Sequence, residues 1–210
     1  MSDLFGGNIR RPSGFLGRLA VRGMNRSHSR RTDWGLGHVA FGEHYIILDV
    51  GCGGGATIRK LAARAPFGKV YGVDISPDSV RVARDYNSGL IASGHSEILE
   101  SGVSSLPFPD ENFDVVTAVE THYYWPNLVE DMKEIYRVLV PYGKFLIVGG
   151  EYLGSRFDER NKKWAKDIGM NLHTLPELQE KLEEAGFTEV EIHEEREKGW
   201  FCTFARRPWK

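Results

Sequence analysis

Two cysteines in 210 residues, Cys52 and Cys202, are too few and too far apart for a disulfide framework or a cysteine-rich zinc site. The seven histidines show no paired spacing of the metalloprotease kind, so no metal centre is expected. No apolar run approaches the roughly 20 residues that span a bilayer, and neither an internal repeat nor a low-complexity tract is present. Secreted disulfide scaffolds, membrane-spanning helices and repeat arrays are thereby set aside. A reducing, cytoplasmic setting is the expectation. A hydrophobic content of 41% over this length suits one ordinary domain with a sizeable core.

The formal net charge of -2 is unevenly distributed. Met1 to Arg31 holds seven arginines (Arg10, Arg11, Arg18, Arg22, Arg26, Arg30 and Arg31) against Asp3 alone, which leaves 20 basic and 28 acidic residues in the remainder. Within this start, Phe15, Leu16, Leu19, Ala20 and Met24 recur at helical spacing with arginines on the other side. Such a composition also occurs in targeting peptides, but a folded segment is the preferred reading. The expectation is an N-terminal helical cap over residues 1–44, with Asn25 to Asp33 as a polar link, followed by one domain over 45–210. A basic amphipathic helix leaves open a transient contact with anionic membrane. The acidic body argues against nucleic acid as a partner.

Downstream, short apolar runs alternate with amphipathic segments, the pattern of a parallel sheet covered on both faces. Strands are predicted at 45–50, 69–74, 96–100, 113–119, 143–149, 188–194 and 200–206, and helices at 56–65, 77–88, 128–140 and 175–185. Ser76-Pro77 supplies an N-cap followed by proline at the first helical position, and Gly186 a stop. The last two strands are joined too closely for a parallel crossover, so they must form an antiparallel hairpin. The fold class expected is α/β with a doubly wound, Rossmann-like sheet.

The most informative stretch is Ile47-Leu48-Asp49-Val50-Gly51-Cys52-Gly53-Gly54-Gly55, a strand that runs into a glycine turn and then a helix. Glycines there let main-chain N–H groups approach a bound molecule, with the positive end of the next helix behind them. Gly51-x-Gly53-x-x-Ala56 fits the loose dinucleotide fingerprint. Val70-Tyr71-Gly72-Val73-Asp74 then ends in an acid 19 residues after Gly55, where a ribose-binding carboxylate belongs. Nicotinamide and other adenosyl cofactors both satisfy these two elements.

Two further motifs, Leu106-Pro107-Phe108-Pro109-Asp110-Glu111-Asn112-Phe113-Asp114-Val115-Val116 and Arg137-Val138-Leu139-Val140-Pro141-Tyr142-Gly143-Lys144, follow in order. With Asp49 before the first glycine, the stretch from about Tyr45 to Gly150 resembles the class I S-adenosylmethionine-dependent methyltransferases, in particular the ubiquinone and menaquinone biosynthesis branch. The resemblance implies a seven-stranded order 3-2-1-4-5-7-6 with strand 7 reversed. It further implies that Asp49, Gly51, Gly53 and Gly55 hold the methionine portion of S-adenosylmethionine, that Asp74 accepts from the ribose hydroxyls, and that Ile75 and Val103 flank the adenine. Family members often place an aspartate where this chain has Gly102, so Ser104, Ser101 or a water is expected to serve the adenine amino group.

The loop Glu120-Thr121-His122-Tyr123-Tyr124-Trp125-Pro126 follows the fourth strand, at the edge where doubly wound folds place ligands. Glu120 is expected near the amino group of the cofactor. His122 is the leading candidate for a general base, since an unperturbed imidazole titrates near 6.5, with Glu120 second. Tyr123, Tyr124 and Trp125 are expected to shape the acceptor pocket, joined by Trp34 and His28 from the N-terminal segment. Only about 40 N-terminal residues and about 20 near 152–173 remain for recognition, which points to a small-molecule or lipid-like acceptor in a closed pocket. The alternatives are a nucleic-acid or protein methyltransferase using the basic start, a non-catalytic cofactor-binding protein, and a nicotinamide oxidoreductase. The acceptor atom and the oligomeric state are left open.

Overall fold

The computed structural model describes Gly14 and residues 29–209. The amphipathic stretch 15–24 and His28 lie outside the described residues. The apolar runs form β1 (Ile46–Val50), β2 (Lys69–Asp74), β3 (Ser96–Glu100), β4 (Phe113–Val119), β5 (Leu139–Gly149), β6 (Thr188–Glu195) and β7 (Trp200–Arg206). They build one sheet of order β3-β2-β1-β4-β5-β7-β6. Pairings from β3 across to β5 are parallel, and β7 runs antiparallel to both β5 and β6, as the short β6–β7 link requires.

Among the described residues seven α-helices surround the sheet: α1 (Ser29–Leu36), α2 (Ala56–Ala62), α3 (Pro77–Tyr86), α4 (Ser88–Ala92), α5 (Leu128–Val138), α6 (Asp158–Ile168) and α7 (Leu175–Glu184). Ser76 caps α3 by accepting the Ser79 N–H at 3.2 Å. A reciprocal capping box between Thr174 and Glu177 opens α7. Adjacent residues of each central strand face opposite layers. Leu48, Val116 and Ile147 pack with Met132, Ile135 and Leu182 of α5 and α7, whereas Ile47, Val115 and Leu146 pack with Ile58, Leu61 and Val80 of α2 and α3.

Four segments depart from the sequence expectation. The supposed polar link contains α1, which forms because Thr32, Gly35 and Leu36 bury against β5 and β7. The predicted 77–88 helix breaks at Asn87, whose side chain donates to the carbonyls of Ala83 and Gly55 at 2.9 and 3.0 Å. The predicted 128–140 helix stops at Val138 and β5 begins at Leu139, because Pro141 disfavours helical backbone at the residue before it. Residues 152–173, unassigned from sequence, contain α6, which ends at Gly169 in a left-handed cap (φ 69°). Among the described residues no helix is long and apolar enough to cross a membrane.

The seat of α1 is close. A Cβ at Gly35 would collide with the Val148 side chain on β5. Gly35→Val is therefore expected to lower stability by about 1–3 kcal/mol through overpacking, read from urea unfolding midpoints. An unchanged midpoint would contradict this packing.

Candidate active site

The C-terminal ends of β1, β2, β4 and β5 share one edge of the sheet. At the end of β1 the N–H groups of Gly51 and Cys52 both donate to the Val73 carbonyl, at 2.8 and 2.9 Å, which folds the glycine turn onto β2. Gly51, Gly53 and Gly55 all have positive φ. A Cβ at Gly51 would strike the Thr121 side chain, whereas one at Gly53 would meet nothing within 4 Å. Steric freedom at the first glycine thus serves the fold, and the second faces open space.

Asp74 closes β2 and accepts from the Gly53 N–H at 2.9 Å and the Ser76 N–H at 2.8 Å. Burial raises its pKa while those two hydrogen bonds oppose the rise. Asp49 lies beneath the turn, 1% exposed, and accepts from Thr117 Oγ1 at 2.7 Å. Burial pushes Asp49 up to about 7 against that hydrogen bond, with Asp74 adding repulsion. Ile75 is 53% exposed, uncommon for an isoleucine, and its Cδ1 stands 3.7 Å from where a Gly102 Cβ would sit. Val103 is buried beside it. Ser104 gives its hydroxyl proton to Asp131 Oδ1 at 2.6 Å, and Asp131 also accepts the Asn127 N–H at the start of α5. That serine is tied to α5.

A second group gathers at the ends of β4 and β5. Glu120 has φ 58°, a left-handed backbone that side chains other than glycine rarely adopt, and its N–H donates to the Val148 carbonyl at 2.9 Å. Its carboxylate pairs with the Arg31 guanidinium and accepts from Tyr123 Oη at 2.6 Å. Arg31 also lies 3.6 Å from Glu151 Oε2 and 5.9 Å above the Trp200 ring. Burial works against the arginine's charge, but Glu120 and Glu151 outweigh it and hold the pKa up. Burial, with Glu120 close by, raises Glu151 well above the ordinary carboxylate range. The same two causes raise the Tyr123 phenol.

His122 lies in the 3-10 turn His122–Tyr124, and its surroundings bear on its expected role as a base. Its ring is 5% exposed, edge-on to Phe201 at 5.6 Å, and burial lowers its pKa to about 3 although Glu120 pulls the other way. A neutral ring this weak in proton affinity does not fit the base of pKa near 6.5 that the sequence suggested. Tyr123 is buried against Glu120, and Tyr124 packs edge-on to it at 4.8 Å. Trp125 is 5% exposed and stacks toward Phe145 in the core. Trp34 packs against His38 and Trp200 at the α1–β7 contact. Arg31 and Glu151 were missed. The signal for Glu151 was its place directly after β5, at the same edge as Glu120; Arg31 was hidden among seven arginines.

Fold and site together define an α/β protein with a glycine turn and a carboxylate at the ends of β1 and β2 and an acidic, aromatic group beside them. Residues 48–147 match the family described as "Methyltransferase domain". The chain is 31% identical over 189 residues to the sterol 4-C-methyltransferase strm-1 of Caenorhabditis elegans, covering 85% of this chain and 54% of that protein. It is 38% identical over 124 residues to the demethylmenaquinone methyltransferase of Symbiobacterium thermophilum, covering 57% and 47%. The match over residues 48–147 and these relatives indicate a class I S-adenosylmethionine-dependent methyltransferase, and the chain spans about half the length of the curated relatives it matches.

Solved structures repeat the fold. A chain of the Haloferax volcanii complex containing the Trm112 methyltransferase activator superposes with TM-score 0.82 at 23% identity, over 90% of this chain and 94% of that one. A S-adenosylmethionine-dependent methyltransferase from Aquifex aeolicus gives 0.72 at 20%, over 90% and 98%. The family implies an adenosyl cofactor, and three features fit it: the open space at Gly53, the buried acceptor Asp74, and the exposed apolar face of Ile75 next to Gly102.

Two buried groups make the ligand-free protein's stability depend on pH in opposite senses. Asp49 titrates near 4 when unfolded and near 7 when folded, so its charge costs stability progressively as pH rises between those values. His122 titrates near 6.5 unfolded and near 3 folded, so its share of stability is lost as pH falls between them. Relative to the native chain, Asp49→Asn is expected to gain up to about 1.4 kcal/mol per unit from pH 4 to 7, and His122→Phe to gain similarly from pH 6.5 down to 3. Urea unfolding across pH checks both; slopes of the opposite sign would refute the assignments.

Proposed function

We propose that this protein transfers a methyl group from S-adenosylmethionine to a small-molecule or lipid-like acceptor, within the cytoplasm. The observation that carries the reading is the meeting at one sheet edge of Gly53 and Asp74 with the Glu120, Tyr123 and Glu151 group. Asp74 would accept the ribose hydroxyls, Ile75 would lie on the adenine, and Gly102 would leave room beside it. The main chain of Gly51, Gly53 and Gly55, above Asp49, would receive the methionine portion, with Glu120 near its amino group. When bound, the cofactor supplies an electrophilic methyl group on a sulfonium centre.

The protein's own contribution is alignment, exclusion of water and negative charge placed at that centre. Tyr123 fixes one Glu120 oxygen and Arg31 the other, so the carboxylate is held before any ligand arrives. His122, neutral and buried, would serve as wall rather than base. Where the acceptor loses a proton, Glu120 and Glu151 are the carboxylates positioned to receive it at Oε.

We further assign the described part of the N-terminal segment, α1 and the residues that follow it to His44, as a cap at this edge of the sheet. Arg31 on α1 reaches Glu120, and the Gly14 N–H donates to Asp78 Oδ2 at 2.7 Å in the first turn of α3, four residues beyond Asp74. Buried, unpaired Cys52 and Cys202 suit a reducing compartment. The names of the sterol and demethylmenaquinone relatives support an apolar acceptor.

Calorimetric titration tests the reading. S-adenosylmethionine and S-adenosylhomocysteine are expected to bind with micromolar affinity and NADH not at all. Asp74→Asn is expected to weaken both adenosyl ligands at least tenfold. Preference for NADH, or full affinity in the variant, would overturn it.

A further inference from the structure

One cavity is not used by the cofactor reading. It has a volume of about 540 Å³ and opens between the loop after β4, α6, the segment 170–173 and α7. That size is within the roughly 300–1,000 Å³ of small-ligand sites. Trp125, Leu128, Leu153, Met170 and Leu172 supply apolar wall. His122 contributes a buried ring whose Nδ1 has no hydrogen-bond partner among the described residues. An unpartnered, 95%-buried polar side chain on a cavity wall is a cost that an occupant can relieve.

The charges on this wall are of one sign. Lys162 and Lys181 line it, as does His173, whose Nδ1 is likewise buried without a partner, and among the described residues no aspartate or glutamate does. In a chain with 29 acidic residues that is a marked local reversal. Lys162 leans on Asp158 at 2.5 Å and Glu159 at 3.3 Å, on its own helix. Lys181 makes no ion pair of that length among the described residues. Next door, the Glu120 and Glu151 carboxylates would repel an anion, so a negative head belongs at the lysine side and an apolar body along the Trp125 wall.

We infer that this cavity is a binding site for an amphipathic anion, a carboxylate or phosphate head on an apolar chain, held by Lys181 and Lys162 with His122 and His173 as further polar contacts. In naming that molecule the methyl acceptor, the inference rests on the methyltransferase reading; the binding itself does not.

The test titrates the 210-residue protein with decanoate, decyl phosphate, decanol, decylamine and inorganic phosphate, by calorimetry and tryptophan fluorescence, and measures S-adenosylhomocysteine affinity on the same samples. Decanoate or decyl phosphate is expected to bind saturably and at least tenfold more tightly than the alcohol, the amine or phosphate alone. The better of the two identifies the head. Lys181→Glu is expected to weaken it at least fivefold, Lys181→Arg to keep it, and Ala165→Trp to abolish it by filling the cavity, all with S-adenosylhomocysteine affinity retained.

Equal affinity for decanol or decylamine, no saturable binding, or an unaffected Lys181→Glu protein would overturn the inference. Anion binding without S-adenosylhomocysteine binding would sink the methyltransferase reading and leave the cavity assignment standing; the reverse pattern would do the opposite.

Discussion

The Val73 carbonyl, accepting the N–H groups of both Gly51 and Cys52, is the constraint on which the site depends. It staples the turn after β1 to the end of β2, and the next N–H, from Gly53, reaches Asp74. A strand end, a turn and a carboxylate are thereby fixed to one another by two backbone–backbone bonds and one from a backbone N–H to the carboxylate. Because β1 lies between β2 and β4, the same turn also meets Thr121 after β4, against which a side chain at Gly51 would collide. The sheet edge is thereby shaped by main chain, with only the Asp74 and Thr121 side chains added to it.

Around that frame the protein concentrates negative charge and then controls it. Asp49, Asp74, Glu120 and Glu151 all stand at one edge, and burial makes their ionised forms costly. Backbone N–H groups relieve Asp74, a hydroxyl relieves Asp49, and Arg31 with Tyr123 relieves Glu120. Glu151, 3.6 Å from Arg31, is held well above the ordinary carboxylate range by burial and by Glu120. Such an edge is suited to a cationic sulfonium. The adjoining cavity, lined by lysines, is suited to the opposite charge. Two neighbouring sites of opposite preference would orient an amphipathic acceptor by electrostatics alone.

Much of this was legible in the sequence because local rules and tertiary demands agreed. All seven strands follow their apolar runs, Ser76-Pro77 starts α3, and the close spacing of β6 and β7 dictates the antiparallel hairpin. Asp74 and the glycines could be found because their spacing reflects a turn that only glycine can make. What could not be read has tertiary causes. The stretch Ser29–Leu36 looks polar, and its helix exists because Gly35 and Leu36 pack on β5 and β7. Burial of His122 is invisible from its neighbours in sequence, yet it lowers the affinity of the ring for a proton to a pKa of about 3. Arg31 meets Glu120 across 89 positions of chain, a pairing that no local pattern encodes.

The most direct test of the account is a crystal structure of the protein with S-adenosylhomocysteine. The account predicts the ribose hydroxyls on Asp74, the adenine between Ile75 and the Gly102–Val103 main chain, and the amino acid portion over Gly51 and Gly53. Ligand bound elsewhere, or an adenosyl group in the lysine-lined cavity with the glycine turn bare, would contradict it.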